Sequence, residues 1–343
     1  MRIAIDAREL DGQPTGVGRV LAGILHAWDA RPDAGAHEVI LCRPDGPRHG
    51  TVWEQFTLPR LVRRANADVL FAPAYTGPLV SPVPLVTAVY DVSFAAHPEW
   101  FGTREGLRRR VLTGMSARRA ATVLTSSEFS RREITRYLRV DPARIDVVYP
   151  GITRAAPAPA PVARDSLVLF VGSLFTRRHV PELIDGFGRL ARRRPDVRLE
   201  VVGDNRTSPR IDFDALAAAA NAGGRIALRS YVPDAELTAL YARARAFAFL
   251  SEYEGFGFTP LEALAAGVPI AVLDTPIARE VYGDAALFLR APDPPLVEAA
   301  LDRLLYDEAE RTRILSAAAA LLPRYSWHAC AAAVLRALVR AAR

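Results

Sequence analysis

TRAAPAPAPVARDSLVLFVG, residues Thr153 to Gly172, decides how this chain is organised. From Thr153 to Asp165 alanine alternates with proline, a pattern no helix can hold, so a semi-rigid extended spacer is expected there. The run LVLFVG that follows is short, apolar and closed by glycine, which reads as a buried strand ending on a turn. Similar runs recur downstream at RLEVVG (Arg198 to Gly203), IALR (Ile226 to Arg229), AFAFL (Ala246 to Leu250) and PIAVL (Pro269 to Leu273). Upstream, strand candidates are Arg2 to Asp6, Glu38 to Cys42, Asp68 to Ala72, Leu85 to Tyr90, Thr122 to Thr125 and Asp146 to Tyr149. Amphipathic helical patterns fill most of the gaps, and strands that alternate with helices build a parallel sheet. The expected architecture is therefore α/β, with two Rossmann-like doubly wound domains facing a central cleft. The first domain spans 1–152, the spacer 153–165 and the second domain 166–324, with a helix over 325–343. In such folds ligands bind beyond the C-terminal ends of the strands.

A length of 343 residues suits two domains, and 50% hydrophobic with 24% charged residues is ordinary globular usage, which excludes collagen, coiled coil and wholesale disorder. All 44 basic residues are arginine, against 38 acidic ones, for a net charge of +6. Without lysine there is no Schiff-base chemistry, no P-loop lysine and no pyridoxal anchor. The arginine forks and a pI of about 9.7 suit anionic ligands. Cys42 and Cys330, expected in different domains, make a disulfide scaffold or zinc cluster improbable. The opening MRIAIDA reads as a strand and not a signal peptide, and the one uncharged stretch of 18 residues or more, Val69 to Tyr90, is broken by four prolines, so the chain is expected to be cytoplasmic, at most peripheral at a membrane.

The richest chemistry lies in EYEGFGFTPLEALAAGVP, Glu252 to Pro269. Thr259 can act as N-cap, Pro260 suits the first helical position and Gly267 with Pro269 stops the helix, which then starts just after a Gly-Phe-Gly loop. Free N–H groups of Phe258 and Thr259 at that end would suit a phosphate. Glu262 is either a ligand-binding group or the partner of Thr259 in a capping box. Arg177 and Arg178 follow the strand LVLFVG and precede a helix beginning near Pro181. Cations at a helix start serve the helix poorly and a diphosphate well, although a solvated arginine pair is the plain alternative. Gly16 and Gly18 follow the first strand, where glycine allows a ligand to approach the backbone or simply makes a tight turn.

Glu254 and Glu262, flanking seven residues in EGFGFTPLEALAAGVP, resemble the E-x7-E signature of retaining glycosyltransferases of the GT-B fold, family 4. Further blocks are similar in the family's order: GVGRV (Gly16 to Val20), DVSFAAHPEWF (Asp91 to Phe101), TSSEFSRREITRYL (Thr125 to Leu138), VGSLFTRRHVPELIDGF (Val171 to Phe187) and YVPDAELTALYARA (Tyr231 to Ala244). The resemblance implies a nucleotide-sugar transferase of polysaccharide biosynthesis, retaining and metal-independent, with no cofactor. Its donor would be a nucleotide-diphosphate sugar, mannose-like by a slight preference, and its acceptor a glycan or a lipid-linked molecule held by the first domain.

Carried over residue by residue, Glu254 would hold sugar hydroxyls and Glu262 ribose hydroxyls. Arg178, with Arg177, would meet the diphosphate, Arg178 and Glu254 being the catalytic pair. Gly255, Phe256, Gly257, Phe258 and Thr259 would form the donor loop, Gly16 and Gly18 would face the phosphates, and Tyr231 and Val232 would lie on the nucleotide side. The family commonly has lysine where Arg178 stands. It also has His-Asp where this chain has Tyr90-Asp91, placing these two in the sugar or acceptor pocket without a group that can switch charge near neutrality. His97 reads as an ordinary loop residue. The final helix would cross back to the first domain. Rival readings are a sugar-nucleotide epimerase, a phosphorylase disfavoured by the missing lysine, and a non-catalytic nucleotide-sugar-binding protein.

Six arginines, Arg104, Arg108, Arg109, Arg110, Arg118 and Arg119, crowd Thr103 to Ala120 among Leu107, Val111, Leu112 and Met115. The pattern fits an anionic membrane surface or a lipid-diphosphate acceptor. The commoner arrangement, apolar face in the core and arginines in water, is favoured here. Nucleic-acid binding is not expected, since no aromatic-studded basic motif is present.

Overall fold

The computed structural model describes residues 1–11, 16–30, 34–44, 50–153, 164–220 and 222–343. The Ala-Pro run of the expected spacer, residues 154–163, lies outside them. Two compact units are present: unit 1 is Met1–Gly151 with Tyr325–Arg343, and unit 2 is Ile152–Arg324.

Unit 1 carries β1 (Arg2–Asp6), α1 (Gly16–Asp29), β2 (Glu38–Cys42), α2 (Leu58–Arg64), β3 (Val69–Ala72), β4 (Leu85–Ala88), α3 (Ser93–Ala96), α4 (Thr103–Arg119), β5 (Thr122–Thr125), α5 (Glu128–Glu133) and β6 (Ile145–Val147). The sheet order is β2-β1-β3-β4-β5-β6, all parallel. Every residue of β3, β4 and β5 is buried. This is why these strands read as largely apolar runs and do not alternate: helices cover both faces. On one face Trp53, Leu58 and Val62 join Ala117 of α4 and Ile134 and Leu138 beyond α5 in a single cluster over Leu70, Leu85 and Val123.

Unit 2 carries β7 (Leu167–Val171), α6 (Val180–Arg193), β8 (Arg198–Val202), α7 (Phe213–Ala219), β9 (Ile226–Arg229), α8 (Asp234–Arg243), β10 (Ala246–Phe249), α9 (Phe258–Ala265), β11 (Ile270–Leu273), α10 (Pro276–Tyr282), β12 (Leu287–Leu289), α11 (Pro294–Tyr306) and α12 (Glu308–Leu321). Its sheet runs β12-β11-β10-β7-β8-β9, again all parallel. Helix α6 buries Leu183, Ile184, Phe187 and Leu190, one face at helical spacing, against unit 2's interior. Each such side chain stabilises the fold by about 1.5–3 kcal/mol relative to exposure. Strand β12 escaped the sequence reading because it has only three residues, two of them only half-buried.

The last helix, α13 (Trp327–Ala341), belongs to unit 1. The Trp28 indole of α1 donates to the Ala331 carbonyl at 2.8 Å. The Trp327 ring lies so close to Gly23 and Gly151 that a Cβ on either would stand 2.6 or 2.4 Å from it. Cys42 and Cys330 are thus both in unit 1, correcting the expectation of separate domains; both are buried free thiols.

Candidate functional site

In unit 2 the chain moves to one side from β7 through β8 to β9, then returns so that β10 lies on the other side of β7. Loops leaving β7 and β10 therefore diverge at their C-terminal ends and open a crevice, the usual ligand position of an open α/β sheet. Arg177 and Arg178 leave from β7, and Glu254 leaves from β10.

Past β7 a short 3-10 turn, Thr176–Arg178, ends at His179, whose φ of 49° is left-handed, and α6 begins at Val180. The turn is tied to the β10 loop through the backbone, since Glu252 N–H donates to the Arg177 carbonyl at 3.0 Å. Arg178 completes the link. Its Nε donates to Glu254 Oε1 at 2.9 Å, its Nη2 lies 2.8 Å from the same oxygen, and its Nη1 donates to the Ser173 carbonyl at 2.9 Å. The guanidinium also sits over Phe249 (4.9 Å) and Phe175 (5.4 Å). Arg177 stacks over Phe175 at 4.2 Å, so the two arginines are a packed pair and not solvated ones. Side-chain exposures of 13% and 18% make the Arg178–Glu254 pair largely desolvated. Ser251 Oγ adds a third donor to Glu254 Oε1 at 2.9 Å. All three bonds fall on Oε1, so Glu254 Oε2 is outside them.

Gly257, with φ +93°, turns the chain into α9, and a Cβ there would lie 2.1 Å from Tyr282 Oη, which donates to the Gly257 carbonyl at 3.1 Å. Gly257 and not Thr259 is the N-cap, and no side chain caps the helix. Thr259 as N-cap is thus corrected, and of the two readings of Glu262 the capping box falls away: the chain turns into the helix two residues early, on glycine, and carries Thr259 inside it. The N–H groups of Phe258 and Thr259 lie in the first turn, where no helical carbonyl reaches them. Glu262 Oε2 accepts from Tyr241 Oη of α8 at 3.2 Å, and the same hydroxyl reaches the Thr259 carbonyl at 3.4 Å. Phe256 is buried and meets Phe258 edge-on at 5.1 Å. Beyond β9, Tyr231 is exposed and Val232 is buried.

His179 places Nδ1 3.3 Å from Glu182 and Nε2 3.6 Å from Glu252. Burial opposes its charge, but the two carboxylates outweigh it and raise its pKa above the ordinary histidine value.

In unit 1, Gly16 and Gly18 lie in the first turn of α1, and among the described residues a Cβ on Gly16 would meet nothing within 4 Å. The loop before it, 12–15, lies outside the described residues. Asp91 is occupied: Oδ1 accepts from Ser93 N–H (2.9 Å) and Ser93 Oγ (2.7 Å), and Oδ2 accepts from Tyr75 Oη (2.8 Å). Tyr90 meets Tyr75 edge-on at 5.9 Å and lines a small cavity with Ile24, Phe71 and Cys330. Burial pushes its phenol far above the usual range, so it stays protonated. His97 stacks on Trp100 at 3.9 Å and bonds Glu99 in its own loop.

Reading the sequence missed a second charged cluster, at the C-terminal end of β1. Arg8 Nη2 donates to Asp6 Oδ2 (2.6 Å) and Glu54 Oε2 (2.7 Å), under cover of Trp53, and Thr76 Oγ1 donates to Glu54 Oε2 (2.7 Å). Burial raises the Asp6 pKa more than Arg8 lowers it. The available signal was an acid closing an apolar strand and an arginine two residues on.

Among the described residues no group of three or more His, Cys, Asp or Glu side chains could hold a metal ion, and no helix is long and apolar enough to cross a membrane.

The pattern of the family described as Glycosyl transferases group 1 matches residues 154–321, and that of Glycosyltransferase Family 4 matches residues 16–155. Together they run through both units. The chain belongs to this glycosyltransferase family. It is similar to O-antigen chain mannosyltransferase B of Escherichia coli, 27% identical over 264 residues that make up 74% of this chain and 69% of that protein. The D-inositol 3-phosphate glycosyltransferase of Segniliparus rotundus is 28% identical over 276 residues, 75% of this chain and 60% of the relative. The crystal structure of Anabaena HepE in complex with UDP-glucose matches with a TM-score of 0.75 over 99% of this chain and 100% of that one, at 18% identity, a likeness of fold. The fold is GT-B, and the group 1 pattern, residues 154–321, contains Arg178, Glu254 and Glu262.

Proposed function

We propose that this glycosyltransferase moves a sugar from a nucleotide diphosphate to a glycan or lipid-linked acceptor with retention of configuration. The observation that carries the reading is the Arg178–Glu254 pair astride the crevice between β7 and β10, with the bare N-terminus of α9 beside it. Cleavage at the anomeric carbon passes through an oxocarbenium-like state, and negative charge gathers on the leaving diphosphate. A guanidinium has five N–H donors, and Arg178 commits three, so two remain for phosphate oxygens. Arg177 and the Phe258 and Thr259 N–H groups add positive potential.

Glu254 Oε2 accepts hydrogen bonds from sugar hydroxyls, while Oε1 remains held by Arg178 and Ser251. Glu262, oriented by Tyr241, takes the ribose hydroxyls, and Tyr231 and Val232 border the base. The Gly16–Gly18 turn approaches the phosphates, and Tyr90 and Asp91 border the transferred sugar. The leaving phosphate receives the acceptor's proton, and the charge that gathers on it is met by Arg178, Arg177 and the α9 N-terminus in place of a metal or cofactor. A mannose-like donor is favoured because the Escherichia coli relative is a mannosyltransferase. In this reading the reaction takes place in the cytoplasm, and a lipid-linked acceptor brings unit 1 to a membrane surface.

The test is a thermal-shift panel of nucleotide sugars, followed by transfer assays in which the anomeric configuration of the product is read by NMR. A donor at ~100 times its dissociation constant adds about 2.7 kcal/mol of stability. A folded protein stabilised by no nucleotide sugar sinks the donor site, and an inverted product sinks retention.

A further inference from the structure

Arg177, Arg178 and His179, consecutive after β7, each reach the loop that leaves β10. The Arg177 carbonyl accepts from Glu252 N–H at 3.0 Å, Arg178 Nε donates to Glu254 Oε1 at 2.9 Å, and His179 places Nε2 3.6 Å from Glu252 Oε2. Glu252 is thus held twice, by its backbone and by its carboxylate. The first two links are made by groups whose charge is constant around neutral pH, whereas the third is made by a histidine.

His179 also sets where α6 begins. Its backbone is left-handed, at φ 49° and ψ 40°, a conformation uncommon for residues other than glycine, and its carbonyl accepts from Leu183 N–H at 3.0 Å. From there Nδ1 lies 3.3 Å from Glu182 Oε1 of α6 while the other ring nitrogen faces Glu252, so the ring, 19% exposed, stands between a carboxylate of the β7 side and one of the β10 side. Burial, the N-terminus of α6 and the neighbouring Arg177 and Arg178 oppose a charge on it. Glu182 and Glu252 favour the charge and prevail.

We propose that His179 is a positioning residue for the donor: as imidazolium it draws Glu252, and with it the β10 loop, onto the turn that carries Arg178, and so keeps Arg178 and Glu254 in the paired geometry that meets the nucleotide diphosphate. The inference rests on the donor site proposed above and adds a side chain that touches no substrate atom. When the ring loses its proton, Glu182 and Glu252 face a neutral group, and the β10 loop is held to the turn only by the Arg177 backbone bond and by Arg178. Donor binding must then restore the arrangement, which weakens it.

Sequence makes this effect readable. His179 is the only histidine between residues 152 and 324, a stretch without cysteine or lysine, so the unit that carries Arg178 and Glu254 has no other side chain with an ordinary pKa near neutrality.

The test is calorimetric titration of the full chain with UDP-glucose and with GDP-mannose between about pH 6 and 8.5. A nucleotide sugar has no phosphate monoester and does not change charge in that range. Affinity should be highest at the acid end and fall as pH rises through the folded pKa of His179, by up to about fivefold, the worth of a part-exposed ion pair. His179→Asn suits the left-handed turn but carries no charge, so it should bind equally at every pH, at the level the parent reaches at the alkaline end. Glu252→Gln should flatten the profile as well, because it cuts the link and leaves the ring. A slope that survives in Glu252→Gln would show the imidazolium acting on the diphosphate directly and would overturn the positioning role, and a slope that survives in His179→Asn would belong to another group and overturn the proposal outright. Unfolding temperatures are measured alongside: a histidine of purely structural use shifts them and leaves the parent's affinity independent of pH, which overturns this inference alone. If the folded chain binds neither nucleotide sugar at any pH, the donor site itself falls and this inference falls with it.

Discussion

Replacing Arg178 by alanine removes a charge that the proposed chemistry uses directly, and the structure sets how much else goes with it. The variant loses two contacts to Glu254 Oε1, one to the Ser173 carbonyl and the stacking on Phe249 and Phe175. Glu254 keeps its Ser251 bond, and at 18% exposure it can recruit water, so leaving it without the arginine costs roughly 1–3 kcal/mol and not the larger penalty of a sealed charge. The protein should remain folded. Turnover should fall on the order of 100-fold or more, the size seen when one preorganised donor to developing negative charge is removed.

A merely positional role, in which Arg178 does no more than orient Glu254, is separable by a double-mutant cycle. If Arg178 acts only through Glu254, adding Arg178→Ala to Glu254→Gln changes turnover little further; if it meets the diphosphate itself, the second loss persists. The assay is steady-state transfer from a nucleotide sugar, with calorimetric nucleotide affinity and unfolding temperature measured in parallel. Near-normal turnover in folded Arg178→Ala would refute the assignment and leave Arg177 as the cation opposite the leaving group.

Gly257→Ala should cost at least about 1 kcal/mol for the left-handed φ alone, and because the Cβ collides with Tyr282 Oη, nucleotide affinity should fall with stability; unchanged affinity would detach the Gly257 loop from the donor site. Glu262→Ala should weaken nucleotide binding by tenfold or more in a folded protein; since the helix it sits in is not capped by a side chain, a loss of stability with intact affinity would assign Glu262 to the Tyr241 contact instead. His179 has a raised folded pKa, so its stabilising effect is complete below the unfolded value near ~6.5 and fades as pH rises through the folded one. His179→Asn, which tolerates the left-handed backbone, should therefore narrow the stability gap to the parent as pH rises; a gap independent of pH would show that the imidazolium contributes nothing.

Local pattern was enough for most strands and their parallel pairing, because a strand buried on both faces is apolar along its length, as β3, β7, β10 and β11 are. It was enough as well for the approximate start of α9, because proline and glycine punctuate a helix whatever surrounds it. It did not place the cap, since whether Gly257 or Thr259 turns the chain depends on where Tyr282 stands, twenty-five residues away. Nor could it pair Arg178 with Glu254, or bring Glu54 onto Arg8: these partners meet only when segments distant in sequence become neighbours in the fold. The outer face of α4 is the sharpest instance. Spacing alone assigned Leu107 and Val111 to the core, but the sheet beneath accepts only the close approach that Gly106, Gly114 and Ala117 permit, so packing turned the larger side chains outward.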